Sequence, residues 1–72
     1  MTAYEGQIKT LDYKTRKYAF QSVRASGNVD PYRFATEKAA QHMLDSCYPG
    51  MVAEDRKVIE VDAEPNINIQ GW

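Results

Sequence analysis

The strongest periodic pattern in the chain lies between residues 36 and 47 and is helical. Small and apolar side chains recur there at helical spacing and share an arc of about 140° at 100° per residue. They are Ala39, Ala40, Met43, Leu44 and Cys47. Thr36 is a favourable N-cap residue, and Pro49 followed by Gly50 is typical of a helix end. We therefore predict one α-helix over residues 36–47.

Five other stretches show the alternating or aliphatic-rich pattern of β-strands. They cover residues 7–12, 17–25, 32–35, 57–62 and 66–70. The predicted order is β-β-β-α-β-β. An antiparallel sheet of four to five strands with one α-helix packed on one face would bury the apolar stripe of that helix, so we predict an α+β fold. The expected core consists of Ile8, Tyr18, Phe20, Tyr32, Phe34, Ala40, Met43, Leu44, Cys47, Ile59 and Val61.

Length and composition limit the class of protein. With 72 residues, of which 43% are hydrophobic and 26% charged, we expect a single globular domain over residues 1–72. One cysteine permits neither an internal disulfide nor a zinc site built on cysteines. We see no signal peptide and no apolar run near the roughly 18 residues of a membrane span. We expect a cytoplasmic protein that does not contact a membrane.

The side chains that usually carry catalysis are poorly placed for it. His42 lies on the polar side of the predicted helix, and Cys47 lies on its apolar stripe, about 140° away. Glu60 and Asp62 share a strand face, but no third metal ligand has suitable spacing. Neither GxGxxG nor GxxxxGK[ST] occurs. We predict a protein that is not an enzyme, with no catalytic residue, no metal site and no cofactor, which acts through its surface.

The two halves of the chain differ in charge, although the net charge of the whole is only -1. Residues 1–36 carry six basic and three acidic side chains, and residues 37–72 carry three basic and seven acidic ones. Arginine and tyrosine are enriched at binding hot spots. The first candidate for a partner-binding surface is therefore the basic hairpin side, formed by Tyr13, Lys14, Arg16, Lys17 and Arg24. The alternative surface is acidic and would imitate a phosphate backbone; it consists of Glu54, Asp55, Glu60 and Asp62, with Trp72 as a further anchor.

The order of elements over residues 17–62 resembles that of small phage-encoded inhibitors. These include a coliphage inhibitor of host RNA polymerase and several anti-CRISPR proteins against type I complexes, which are similar in size and in their sheet-plus-one-helix order. The resemblance implies a non-enzymatic protein that takes part in host takeover by blocking a surface of a host protein or ribonucleoprotein complex, such as a CRISPR effector or RNA polymerase. It would act as a monomer or a homodimer. No individual residue role follows from this resemblance.

A second pattern over residues 6–36 is similar to cold-shock domains, which are OB-fold barrels that bind single-stranded nucleic acid. It consists of Gly6-x-Ile8-Lys9, Tyr18-Ala19-Phe20 and Gly27-x-x-Asp30-x-Tyr32-x-Phe34. By that resemblance, the nucleic-acid face would be Lys9, Tyr18, Phe20, Tyr32 and Phe34. Direct binding of nucleic acid is thus the second functional hypothesis. An exposed row of these four rings would favour it, whereas buried rings would favour the inhibitor.

Overall fold

Three antiparallel strands and one α-helix form the regular structure of the residues that the computed structural model describes, 1–24 and 30–67. Strand β1 covers Thr2–Asp12, β2 covers Lys17–Ser22, helix α1 covers Glu37–Cys47, and β3 covers Arg56–Asp62. A 3-10 turn, Ala53–Asp55, precedes β3. The strand order is β2-β1-β3, so the long first strand is central. The α+β class and the packing of one helix against an antiparallel sheet are as predicted.

A tight hairpin joins β1 to β2. Asp12 pairs with Lys17 across the two strands, and its side-chain Oδ1 accepts a hydrogen bond from the backbone N–H of Lys14 at 2.9 Å. Asp12 also accepts, at its carbonyl oxygen, a hydrogen bond from the backbone N–H of Arg16 at 2.6 Å. Arg16 closes the turn in the left-handed conformation, with φ at 57°. An aspartate that bonds to the backbone two residues on is a common turn former, so the local sequence explains this hairpin.

Helix α1 begins and packs as its sequence predicts. The Thr36 hydroxyl accepts a hydrogen bond from the backbone N–H of Ala39 at 3.1 Å, which caps the first turn. The helix lies close to β1, because a Cβ atom at Gly6 would be 2.7 Å from Cε of Met43 and 3.0 Å from Leu44. Glycine at position 6 therefore allows this close approach. The buried cluster beneath the helix consists of Phe34, Ala40, Met43 and Leu44.

The prediction of four to five strands in the order β-β-β-α-β-β was wrong for the described residues, which form three strands with α1 between the second and third. Residues 32–35 contribute a single bridge, between Phe34 and Tyr4. The outer side of Arg33 is occupied by Asn66 instead of a strand, since Asn66 Oδ1 accepts from the Arg33 N–H at 2.8 Å. Strand β2 ends at Ser22 instead of residue 25. Asn66 and Ile67 are not in a strand, and residues 68–70 lie outside the described part.

The predicted core was partly wrong, for a reason that lies in the strand register. Leu11 pairs with Tyr18, and Lys9 pairs with Phe20. Paired residues point to the same face, and Ile8, which packs against the core under the helix, has the opposite parity from Leu11 and Lys9. Tyr18 and Phe20 therefore point away from the helix.

Other core predictions divide in the same way. Phe34, Ala40, Met43 and Leu44 are buried as predicted. Ile8 and Tyr32 are half-buried and pack against that cluster. Cys47 is exposed, because it follows the last buried turn of the helix, and Ile59 and Val61 are half-buried on the face away from the helix. Among residues that were not predicted, Ala3 is fully buried, and Tyr4, Val23, Val58 and Ile67 are partly buried and pack against the cluster under the helix.

Candidate binding face

The sheet face that points away from α1 is the main candidate for a functional surface. Gly6 and Val58 pair with each other and point to the helix, so the residues on either side of them in β1 and β3 point away. We call this surface the open face. Its side chains are Ala3, Glu5, Gln7, Lys9 and Leu11 from β1, Tyr18, Phe20 and Ser22 from β2, and Lys57, Ile59 and Val61 from β3.

One end of the open face is a closed polar network around Glu5. This residue is only 7% exposed. Its Oε1 accepts a hydrogen bond from the Ser22 hydroxyl at 2.6 Å, and its Oε2 accepts from Arg33 Nε at 3.1 Å. Gln7 Nε2 donates in turn to the Ser22 hydroxyl at 3.1 Å. Both carboxylate oxygens are thus engaged, and the network fastens the segment around Arg33 to the sheet. We assign this network to the stability of the fold and not to binding, because its polar groups already have partners within the chain.

The other end of the open face combines aromatic, aliphatic and basic side chains. Tyr18 is 67% exposed, and its cross-strand partner Leu11 is exposed as well. The Lys57 amine lies 4.2 Å from the centroid of the Phe20 ring, which is a cation–π contact across the central strand. Lys9 and Tyr18 line an open cleft of about 330 Å³ together with Asp55. This end therefore offers apolar contact area beside the amines of Lys9 and Lys57 and the carboxylate of Asp55.

The basic hairpin continues this surface at the end of the sheet. Tyr13 is 86% exposed, and Lys14, Arg16 and Lys17 are also exposed. These four residues lie at or beside the turn that precedes Tyr18. Lys17 pairs with Asp12, so its side chain points to the helix side of the sheet, away from Tyr18. Arg24 is separated from them by the whole of β2, a distance of roughly 20 Å at about 3.3 Å per residue. The structure thus brings together four of the five residues of the predicted basic surface.

The alternative acidic residues do not form a single patch on this structure. Glu54 and Asp55 lie in the 3-10 turn, and Asp55 lines the cleft of the open face. Glu60 and Asp62 point to the helix side of the sheet from β3, and both are exposed. Asp62 Oδ1 accepts from the N-terminal amine of Met1 at 3.3 Å. Trp72 lies outside the described residues.

The side chains considered for catalysis remain apart. His42 and Cys47 are both exposed on α1, five residues from each other. Within the described ranges, no group of three or more histidine, cysteine, aspartate or glutamate side chains could hold a metal ion. Over the same ranges, no helix has the length and hydropathy to cross a bilayer.

Comparison with protein-family models, curated proteins and solved structures finds no match to this chain. The function is therefore argued from the geometry of the surface. Sequence reasoning placed Tyr18 and Phe20 in the core and so missed the open face. The sequence contained a signal for the correct orientation of β1. Gly6 and Ile8 are two residues apart and point to the same face, and a glycine within a strand indicates close approach of another backbone or side chain.

Proposed function

We propose that this chain is a small binding protein without catalytic activity, and that it binds its partner through the basic hairpin and the adjoining end of the open face. The observation that carries the proposal is the position of Tyr18, which is 67% exposed beside Leu11 and next to the basic turn. Tyrosine and arginine supply much of the energy at protein interfaces, and Arg16 lies in that turn. The contact surface is defined as Leu11, Tyr13, Lys14, Arg16 and Tyr18, with Lys17 beside it on the other face of the sheet.

The charge of this surface favours a partner that carries negative charge. Lys14, Arg16 and Lys17 lie in or beside the hairpin turn, whereas Lys9, further along the sheet, shares its cleft with Asp55. Complementary charge would steer association and fix the orientation of the complex. A nucleic-acid-processing complex presents both acidic protein surface and phosphate. Together with the resemblance to phage inhibitors, this supports a host CRISPR effector or RNA polymerase as the partner class and inhibition as the outcome.

Direct binding of single-stranded nucleic acid is the second candidate, and one observation favours it. Tyr18 and Phe20 share the open face with Lys9 and Lys57, and rings beside amines suit stacked bases and phosphates. Two further observations rank it second. Tyr32 and Phe34 pack on the helix side, so the row of four rings is divided between the two faces. Lys57 also covers the ring of Phe20.

Quantitative capture from a bacterial lysate tests the first candidate with two matched double variants. The hairpin variant carries Arg16→Glu and Lys17→Glu, and the β3 variant carries Glu60→Lys and Asp62→Lys. We expect both variants to fold with a small loss of stability. Asp62→Lys removes the exposed contact with the N-terminal amine and Lys17→Glu sets a carboxylate opposite Asp12, and exposed charge pairs contribute little. Capture should be lost in the hairpin variant and retained in the β3 variant. Loss in the β3 variant alone would instead support a phosphate-imitating acidic surface.

Fluorescence anisotropy with a labelled single-stranded oligonucleotide of mixed sequence separates the second candidate from the first. The proposal predicts no salt-sensitive binding in the micromolar range at either low or physiological salt. Tight binding that weakens with salt and is lost in Lys9→Glu would reverse the ranking, because release of counterions makes phosphate contacts strongly salt-dependent.

A further inference from the structure

Arg16 has a backbone conformation that a residue with a side chain does not favour. Its φ angle is 57°, and it is the one residue other than glycine with a positive φ in the described part of the chain. The left-handed conformation brings the Cβ atom of an L-residue close to the following carbonyl oxygen, a clash that glycine avoids. The turn that joins β1 to β2 would therefore be more stable with glycine at position 16.

No contact within the chain explains why an arginine is kept there. Arg33 donates to the carboxylate of Glu5 at 3.1 Å. Arg56 forms an ion pair with Asp45 at 3.1 Å. The guanidinium of Arg16, by contrast, is exposed and has no hydrogen bond or ion pair with any described residue. Strain at a residue whose side chain has no role in the fold points to a role in recognition.

The carboxylate nearest to Arg16 along the chain is used by the turn itself. Asp12 Oδ1 accepts a hydrogen bond from the backbone N–H of Lys14 at 2.9 Å. The donors of the Arg16 guanidinium thus face solvent, in the same turn as Tyr13, which is 86% exposed, and two residues before Tyr18, which is 67% exposed. An arginine near exposed tyrosines is typical of the residues that supply most of the energy at protein interfaces.

We propose that Arg16 is the charged anchor of the contact surface and that its guanidinium binds the carboxylate of an aspartate or glutamate on a partner protein. This inference rests on the function proposed above and adds the chemical group that the hairpin recognises. The planar guanidinium offers two parallel N–H donors to a carboxylate, a pairing that an ammonium group cannot make. Position 16 therefore requires arginine and not merely a positive charge.

The charges around Arg16 favour one carboxylate over the phosphates of a nucleic acid. Binding along a phosphate backbone draws on several cations that contact successive phosphates. Lys14 is the other cation within the turn. Lys17 points to the helix side of the sheet, and Lys9 shares its cleft with Asp55. Two cations beside exposed tyrosines suit a single acidic side chain within an otherwise apolar contact.

Two substitutions at position 16 separate strain from recognition. Arg16→Gly removes both the strain and the guanidinium, whereas Arg16→Ala removes the guanidinium and keeps the strain. We expect the melting temperature of Arg16→Gly to rise several degrees above that of the parent chain, and that of Arg16→Ala to stay near it. Thr15→Gly, at a position of the same turn without a positive φ, is the matched control and should melt lower. If Arg16→Gly melts no higher than Arg16→Ala, Arg16 is an ordinary turn residue and the proposal is overturned.

Selection from a displayed library of random short peptides, with the immobilised chain as bait, tests the recognition. We expect the enriched peptides to share an aspartate or glutamate, and a synthetic copy to bind about tenfold more weakly when that residue is replaced by its amide. Arg16→Ala should weaken binding of the same peptide about tenfold, and Arg16→Lys should restore little of it. In Arg16→Ala, the amide substitution in the peptide should have no further effect, because the carboxylate has lost its partner. Lys14→Ala is the matched control and should lose only a few-fold.

The variant Tyr18→Ala distinguishes failure of this inference from failure of the proposed function. Loss of peptide binding in Tyr18→Ala with full binding in Arg16→Ala would keep the contact surface and overturn Arg16 as its anchor. Peptides that bind both variants as they bind the parent chain would overturn the anchor and the surface together. Enrichment of peptides without an acidic residue, or no enrichment, would overturn the carboxylate. Binding of the labelled oligonucleotide that depends on Arg16 would also overturn it, because the anchor would then bind phosphate.

Discussion

The two faces of the sheet are made by the same three strands, yet they differ in what covers them. On the helix side, Gly6 and Ile8 of β1 lie under Met43 and Leu44, both of which are buried. On the open face, the same strand carries Leu11, which is exposed beside Tyr18. Alternation along one strand thus separates residues that hold the fold together from residues that are free to contact a partner.

This difference also exists along the open face itself. At one end, Glu5, Ser22 and Arg33 satisfy one another with hydrogen bonds and leave little for a ligand. At the other end, Tyr18 and Lys9 line a cleft that opens to solvent. A surface residue that has already found its partners within the chain contributes to stability, whereas one that has not is available for binding. The candidate site is therefore the hairpin end of the open face.

The largest expected effect separates the two faces directly. Leu44→Asp would bury a carboxylate in the cluster under α1, where Leu44 is fully buried. We expect the variant to be unfolded at 25 °C, since a chain of this length has only about 4–10 kcal/mol of stability. Tyr18→Asp on the open face is the control and should stay folded with a loss of only about 1 kcal/mol, because it changes strand propensity and one cross-strand pair without burying a charge. Chemical denaturation followed by circular dichroism measures both. Similar loss in the two variants would contradict the difference between the faces.

A smaller effect tests the close approach of helix and sheet. Gly6→Val would force Met43 and Leu44 away from β1, because even a Cβ atom there meets them at 2.7 and 3.0 Å. We expect a loss of roughly 1–3 kcal/mol, the usual cost of overpacking. Thr10→Val is the control. Thr10 lies four residues after Gly6 in β1 and points to the same face, but it is only partly buried. It should be tolerated, and a Gly6→Val variant as stable as Thr10→Val would show that α1 does not pack there.

The smallest stability effect concerns the closed end of the open face. Arg33→Met removes the donor to Oε2 of Glu5 and leaves the nearly buried carboxylate with the Ser22 hydroxyl. An unsatisfied buried acceptor costs about 1–3 kcal/mol, and we expect a loss at the lower end because the Ser22 bond remains. Lys14→Met, which removes a positive charge from the exposed hairpin, is the matched control and should change thermal stability little. Equal melting temperatures for the two variants would show that the Glu5 network does not contribute to the fold.

The helix and the hairpin were predictable because their signals are local. Thr36, the apolar stripe and the turn residues act within a few positions of each other, and α1 begins one residue after its predicted cap. The first strand was predicted too short, because Thr2–Gly6 does not alternate between polar and apolar side chains in the usual way. Its buried members include Ala3, Glu5 and Gly6, and Glu5 is buried only because Ser22 and Arg33 meet it from distant positions.

The positions of Tyr18 and Phe20 could not be read from composition, because an aromatic side chain suits either face of a sheet. The register decides the matter, and it is set by the turn between Asp12 and Lys17. The error at residues 32–35 has a different origin. The segment alternates between aromatic and other side chains as a strand would, but it forms only one bridge to the sheet. Its outer side is bonded to Asn66, which lies 33 residues after Arg33 in the chain.

The central claim, that binding takes place at the hairpin end of the open face, is tested most directly by one comparison on folded protein. Immobilised Tyr18→Asp and the parent chain are used for quantitative capture from the same bacterial lysate, after circular dichroism has shown that both are folded at the temperature of the assay. We predict at least a tenfold loss of the captured partner for Tyr18→Asp, because a desolvated aromatic anchor typically carries about 2 kcal/mol or more at an interface. Capture at the level of the parent chain would contradict the claim and place the binding surface elsewhere.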